Sequence, residues 1–66
     1  MTVTVNGDVR HVAADATVAS LVAELTAASS GIAVAVNETI VPQEAWETTT
    51  LGEGDRVEVL TAVQGG

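Results

Sequence analysis

One helical period interrupts a chain that otherwise reads as strands. Val18, Leu21, Val22, Leu25 and Ala28 recur at i, i+3, i+4, i+7 and i+10, a single stripe down an α-helix. The segments on either side alternate or run as short β-branched stretches. A lone helix of this length covers one face of one sheet, so the stripe must lie across strands rather than join a bundle. Thr17 is placed to cap the helix, its hydroxyl accepting from a first-turn N–H. Asp15 adds negative charge beside the positive end of the helix dipole. Ser29, Ser30 and Gly31 are expected to close the helix, with Gly31 at a left-handed C′ position.

The strands around it are bounded by turn chemistry. Met1 to Val5 alternates and meets Asn6-Gly7, a dipeptide suited to the positive φ angles of a tight hairpin. Asp8 to Val12 is then the returning strand. After the helix, Ile32 to Val36 is a continuous Ile/Val/Ala run, the pattern of a strand buried on both faces. Asn37-Glu38 turns the chain into Thr39-Ile40-Val41, which Pro42 stops. Gln43 to Glu47 is read as one helical turn that points Trp46 inward. Gly52-Glu53-Gly54-Asp55 is a turn by composition, and Arg56 to Val63 alternates as the last strand. The first and last strands are expected at central positions. The order predicts an α+β domain, a mixed sheet packed on one main helix in the ubiquitin-like β-grasp arrangement. Residues 1–62 are assigned to that domain and 63–66 to a flexible Gly-Gly tail.

Composition narrows the chemistry. With twelve Val, eleven Ala, one Trp and no Phe or Tyr, the core must be thin and β-branched. The absence of cysteine removes disulfides, thiolate metal sites and thiol nucleophiles. Nine acids against two arginines give a formal net charge of −7, which argues against nucleic acid and anionic membranes as partners. No apolar run has transmembrane length, and the N-terminus lacks the pattern of a signal peptide. A cytoplasmic protein, monomeric when free, is expected.

The chain ends in Gly65-Gly66, directly after the last strand. Extended, residues 61–66 reach about 20 Å, enough to thread a terminal carboxylate into another protein's site. Glycine lacks a Cβ and passes a narrow channel. A carboxylate is a poor electrophile, so chemistry at Gly66 needs activation, and adenylation with ATP by a partner that positions it is the expected route. On residues alone the tail is either an idle end or such a handle.

The remaining polar residues offer no catalytic constellation. His11 stands alone, without a serine or cysteine for which it would be a base and without companions for a metal. Glu53 and Asp55 sit in a glycine turn, where Asp serves turn geometry. Trp46 is read as a core plug and Arg56 as one half of a surface ion pair of little worth. Leu60, Val63 and Gln64 are candidate docking positions for a partner. The lack of lysine would spare an activated C-terminus from capture by the chain's own side-chain amines. No catalytic residue and no metal ligand is assigned, and the chain is not expected to be an enzyme or to bind a cofactor.

Nearly end to end, the sequence resembles the thiamine-biosynthesis sulfur carrier family. The resemblance rests on Asn6-Gly7, Thr17-Val18 with Leu21 and Leu25, and Ala33 to Asn37. It continues through Ile40-Val41-Pro42, Trp46, Leu51, Gly54 to Val59 and Gly65-Gly66. It implies that an E1-like, ATP-dependent enzyme adenylates Gly66. A sulfur-donor protein would then supply the sulfur of a Gly66 thiocarboxylate, which thiazole synthase uses to build the thiazole of thiamine. Gly65 would be the spacer that admits Gly66 to the partners' sites. Family members often have Arg after the Val-Pro pair, where this chain has Gln43, so any partner contact made by that Arg is altered here. The alternatives are the small subunit of molybdopterin synthase, whose chains are usually longer, a ubiquitin-like protein modifier, and a plain acidic binding module with an idle tail.

Overall fold

In the computed structural model, which describes residues 1–27 and 30–61, strand β1 (Thr2–Val5) returns as β2 (Asp8–His11). Asn6 and Gly7 make the turn with φ of 51° and 89°, the pair of positive angles a tight hairpin requires. Helix α1 (Val18–Leu25) follows, then β3 (Ile32–Val36), β4 (Thr39–Val41), a 3₁₀ turn at Gln43–Ala45 and β5 (Arg56–Thr61). The strands form one sheet in the order β2-β1-β5-β3-β4. β1 and β5 are parallel, and every other pairing is antiparallel. β5 is therefore the middle strand and β1 its neighbour, so both expected central positions are found.

Helix α1 begins as the sequence indicates. The Ser20 N–H donates to Thr17 Oγ1 at 3.1 Å, and the Thr17 N–H donates to Ser20 Oγ at 2.9 Å, a reciprocal capping box. The end differs from the expectation. The helix stops at Leu25, and Thr26 is already extended at φ −157° and ψ 150°, its N–H closing the last turn on Val22 O. A β-branched residue prefers that geometry, and Leu25 already completes the described part of the stripe. Gly31 does adopt a left-handed φ of 74°, but in the approach to β3 rather than at the helix end. Ala28 and Ser29, also assigned to the helix and its close, lie outside the described residues.

The core is the contact between α1 and one sheet face. Val18, Leu21 and Val22 from the helix meet Val3, Val5, Val34, Val57 and Val59, with Leu51 and Trp46 closing the margins. Each such side chain, fully buried, contributes about 1.5–3 kcal/mol. No polar or charged residue among those described is buried. Trp46 takes its inward place through the 3₁₀ turn, and its indole Nε1–H donates to Val41 O at 3.0 Å. β3 corrects the sequence reading: Val34 is buried, but Ala33 is exposed and its strand is covered on one face only. A single helix cannot cover both faces, and alanine is small enough to appear in either environment. No described helix is long and apolar enough to cross a membrane.

Candidate functional site

β5 is the last described element before Gly65-Gly66 in the sequence, and its fixation sets the position of Thr61, the last described residue. Val57 and Val59 anchor the strand in the core, while Arg56, Glu58 and Leu60 point away from the helix and are exposed. Two asparagines outside β5, each with a left-handed backbone, grip it at different points. At its beginning, Asn37 (φ 52°) donates its N–H to Arg56 O at 2.7 Å and accepts from the Arg56 N–H through Oδ1 at 3.0 Å. Asn37 Nδ2 also donates to Asp55 Oδ1 at 3.0 Å. Near its end, Asn6 Oδ1 accepts from the Val59 N–H at 2.9 Å, and Asn6 Nδ2 donates to Val59 O at 3.1 Å.

β5 pairs with β3 as far as Thr61, opposite Ile32. A cavity of about 310 Å³ opens beside this end, lined by Asn6, Asp8, Arg10, Leu25, Thr26 and Thr61 among others. Arg10 reaches from β2 to helix α1, with Nη2 3.4 Å from Glu24 Oε1. Val63, Gln64, Gly65 and Gly66, the remaining residues assigned to docking and chemistry, lie outside the described residues. The boundary placed between residues 62 and 63 lies there too.

The sheet face opposite the helix carries the one described docking candidate. Leu60 and Ile40 are each 68% exposed. The register sets Leu60 opposite Ala33, and Ile40 and Glu58 on either side of Ala35. Leu60 is therefore not buried in the sheet's packing; it stands on the open face beside Ala33 and, two residues along its own strand, the exposed Glu58.

The other singled-out residues have local tasks. Asp55 Oδ2 accepts from the Gly52 N–H at 2.7 Å, and Glu53 Oε1 accepts from the Thr2 N–H at 2.9 Å, so both carboxylates tie the turn to its surroundings. Arg56 pairs with Glu38 at 3.5 Å on the surface. His11 is exposed on β2, its Nδ1 3.5 Å from Thr2 Oγ1. Gln43 opens the 3₁₀ turn and is exposed. The sequence reading assigned Asn6 to the turn alone. Its partner in β5 is 53 residues away, a separation no local pattern encodes.

A parallel pair at the middle of a mixed sheet, one helix across one face, and a chain running on from the middle strand into Gly-Gly define a ubiquitin-like β-grasp domain. The chain belongs to the ThiS family, whose profile matches residues 3–66. It is 32% identical to the sulfur carrier protein ThiS of Escherichia coli, with both chains covered in full. It is 33% identical over its whole length to thiazole synthase of Paramagnetospirillum magneticum, of which it spans 20%. The crystal structure of the thiamine biosynthesis protein ThiS from Geobacter metallireducens matches with a TM-score of 0.81 at 35% identity, both chains covered in full. A solution structure of a thiamine biosynthesis protein from the same organism also gives 0.81, with 88% of that chain covered.

Proposed function

We propose that Gly66 is the group on which this chain carries sulfur. The chain is a sulfur carrier of thiamine biosynthesis, a reading supported by its family and by full-length similarity to the Escherichia coli carrier. The observation that carries the assignment to Gly66 is that Gly65-Gly66 follows the central strand β5 in the sequence after only three intervening residues. Activation joins the Gly66 carboxylate oxygen to the α-phosphorus of ATP and releases pyrophosphate. A sulfide-equivalent nucleophile then attacks the acyl carbon, AMP leaves, and a thiocarboxylate remains. An E1-like adenylating enzyme performs the first step and uses the ATP; this chain binds no cofactor of its own. A sulfur-donor protein supplies the sulfur; a persulfide donor leaves an acyl disulfide, which a thiol reductant cleaves to the thiocarboxylate and the donor's thiol, and thiazole synthase receives the sulfur.

The chain acts as a protein co-substrate in the cytoplasm, with Gly65 as the spacer that admits Gly66 to a confined site. The similarity to a segment of a thiazole synthase supports the choice of acceptor. Leu60, with Val63 and Gln64 after it in sequence, forms the docking contact for these partners, and residues 63–66 are the segment that enters their sites. Intact-mass spectrometry after incubation with ATP, a sulfide source and the activating enzyme tests the assignment. The expected gain from exchanging oxygen for sulfur nearly equals that of oxidation at Met1 or Trp46, so fragmentation must place it on Gly66. Deleting Gly66 is expected to abolish it. A gain that survives the deletion refutes Gly66 as the carrier group, and an isopeptide conjugate to lysine would indicate a protein modifier instead.

A further inference from the structure

β1 ends at Val5, yet its pairing with β5 does not. The Thr4 N–H donates to Asp55 O at 3.0 Å and the Asn6 N–H to Val57 O at 2.9 Å, the regular two-residue step of a parallel ladder. The next step would use the Asn6 carbonyl and the residue 8 N–H to bind Val59. The main chain cannot supply them in that geometry, because Asn6 turns left-handed into the hairpin at φ 51°. The Asn6 side-chain amide takes their place: Oδ1 accepts from the Val59 N–H, and Nδ2 donates to Val59 O. One primary amide presents an acceptor and a donor in the arrangement of a peptide unit, so the ladder gains one more step on this side.

That step lies near the end of β5. Val59 is buried, and Leu60 and Thr61 complete the strand before the segment that bears Gly66. We infer that Asn6 is a positioning residue for the carrier reaction: its side-chain amide extends the β1–β5 ladder to Val59 and thereby holds the end of β5, Leu60 and Thr61, from which the sequence runs on to Gly66. Asn6 does not touch the reacting carboxylate. It limits displacement of Leu60 and Thr61 once the domain is docked, and displacement of a reacting group by about 1 Å is enough to cost about 100-fold in rate. The inference rests on the reading of Gly66 as the activated group.

Asn6→Gly separates the clamp from the turn, since glycine accepts the left-handed φ while removing the amide. Asn6→Asp keeps the acceptor for the Val59 N–H and loses the donor. Two quantities are compared with those of the wild-type chain: hydrogen exchange of the Val59 amide by NMR, and ATP–pyrophosphate exchange catalysed by an adenylating enzyme that acts on this chain. Asn6→Gly is expected to exchange the Val59 amide about tenfold faster or more. It should also lower kcat by about tenfold, while KM for the carrier stays within about twofold, because the docking face is untouched. Asn6→Asp is expected to protect the Val59 amide better than Asn6→Gly and to recover part of kcat. If Asn6→Gly fails to fold, Asn6→Asp carries the comparison by the same two readouts. A released Val59 amide with unchanged kcat, or a loss confined to KM, overturns the positioning role. Absence of exchange with the wild-type chain, by an enzyme competent on another carrier, overturns the carrier reading itself and the inference with it.

Discussion

At Gly54 the backbone has φ of 83°, and an added Cβ would meet nothing within 4 Å, so any cost of a side chain there is conformational. Gly54→Ala is expected to destabilise the domain by about 1 kcal/mol in urea unfolding. At Gly52 the nearest contact of an added Cβ is Asp55 Oδ1 at 3.7 Å, an ordinary separation. Gly52→Ala should therefore stay within about 0.5 kcal/mol of wild type by the same measurement. Trp46 combines burial with the bond to Val41 O. Trp46→Phe is expected to cost about 1–3 kcal/mol, from the lost indole hydrogen bond and the smaller ring, read by circular dichroism because the sole indole is gone. Its inward position was legible because Pro42 ends a strand and a single helical turn follows. The second role of Asn6 was not legible, because the Asn-Gly signal already accounted for the residue.

Helix α1 is eight residues long, too short to persist alone, and depends on its cap and its packed stripe. Thr17→Ala removes the hydroxyl that accepts from the Ser20 N–H, with an expected loss of about 1 kcal/mol, checked by thermal or urea unfolding. Both the cap and the stripe from Val18 to Leu25 are visible in the sequence, because they repeat at short range. The end of the helix was less so: Ser and Gly are terminator signals, but Thr26 leaves the helical region first. β3 shows the opposite limit. An unbroken run of Ile, Val and Ala has the same appearance whether one face or two are covered, and only the count of helices available decides.

The charge and the open sheet face act at the scale of the whole molecule. A net charge of −7 on a 66-residue chain favours encounter with a basic surface, so association with the adenylating enzyme proposed above is expected to slow as salt rises. Between low salt and about 0.5 M, the on-rate in stopped flow should fall by about tenfold. Leu60→Asp is expected to leave unfolding unchanged within about 0.5 kcal/mol, since the side chain is already 68% exposed. It should weaken partner binding by about tenfold or more, measured by calorimetry. Lost stability would show that Leu60 serves packing instead.

The sequence by itself determined the order of the elements, the start of helix α1 and the valine-rich make-up of the core. Hairpin turns, helix caps and apolar periods act over a few residues, and two terminal glycines are visible without a structure. Tertiary structure alone decided which strands pair, that β5 runs between β1 and β3, and which sheet face stays open. It also decided that Asn37 and Asn6 hold β5 near its two ends, across 19 and 53 residues respectively. Those bonds depend on where distant segments come to rest once the valine core has closed, and no local pattern carries that information.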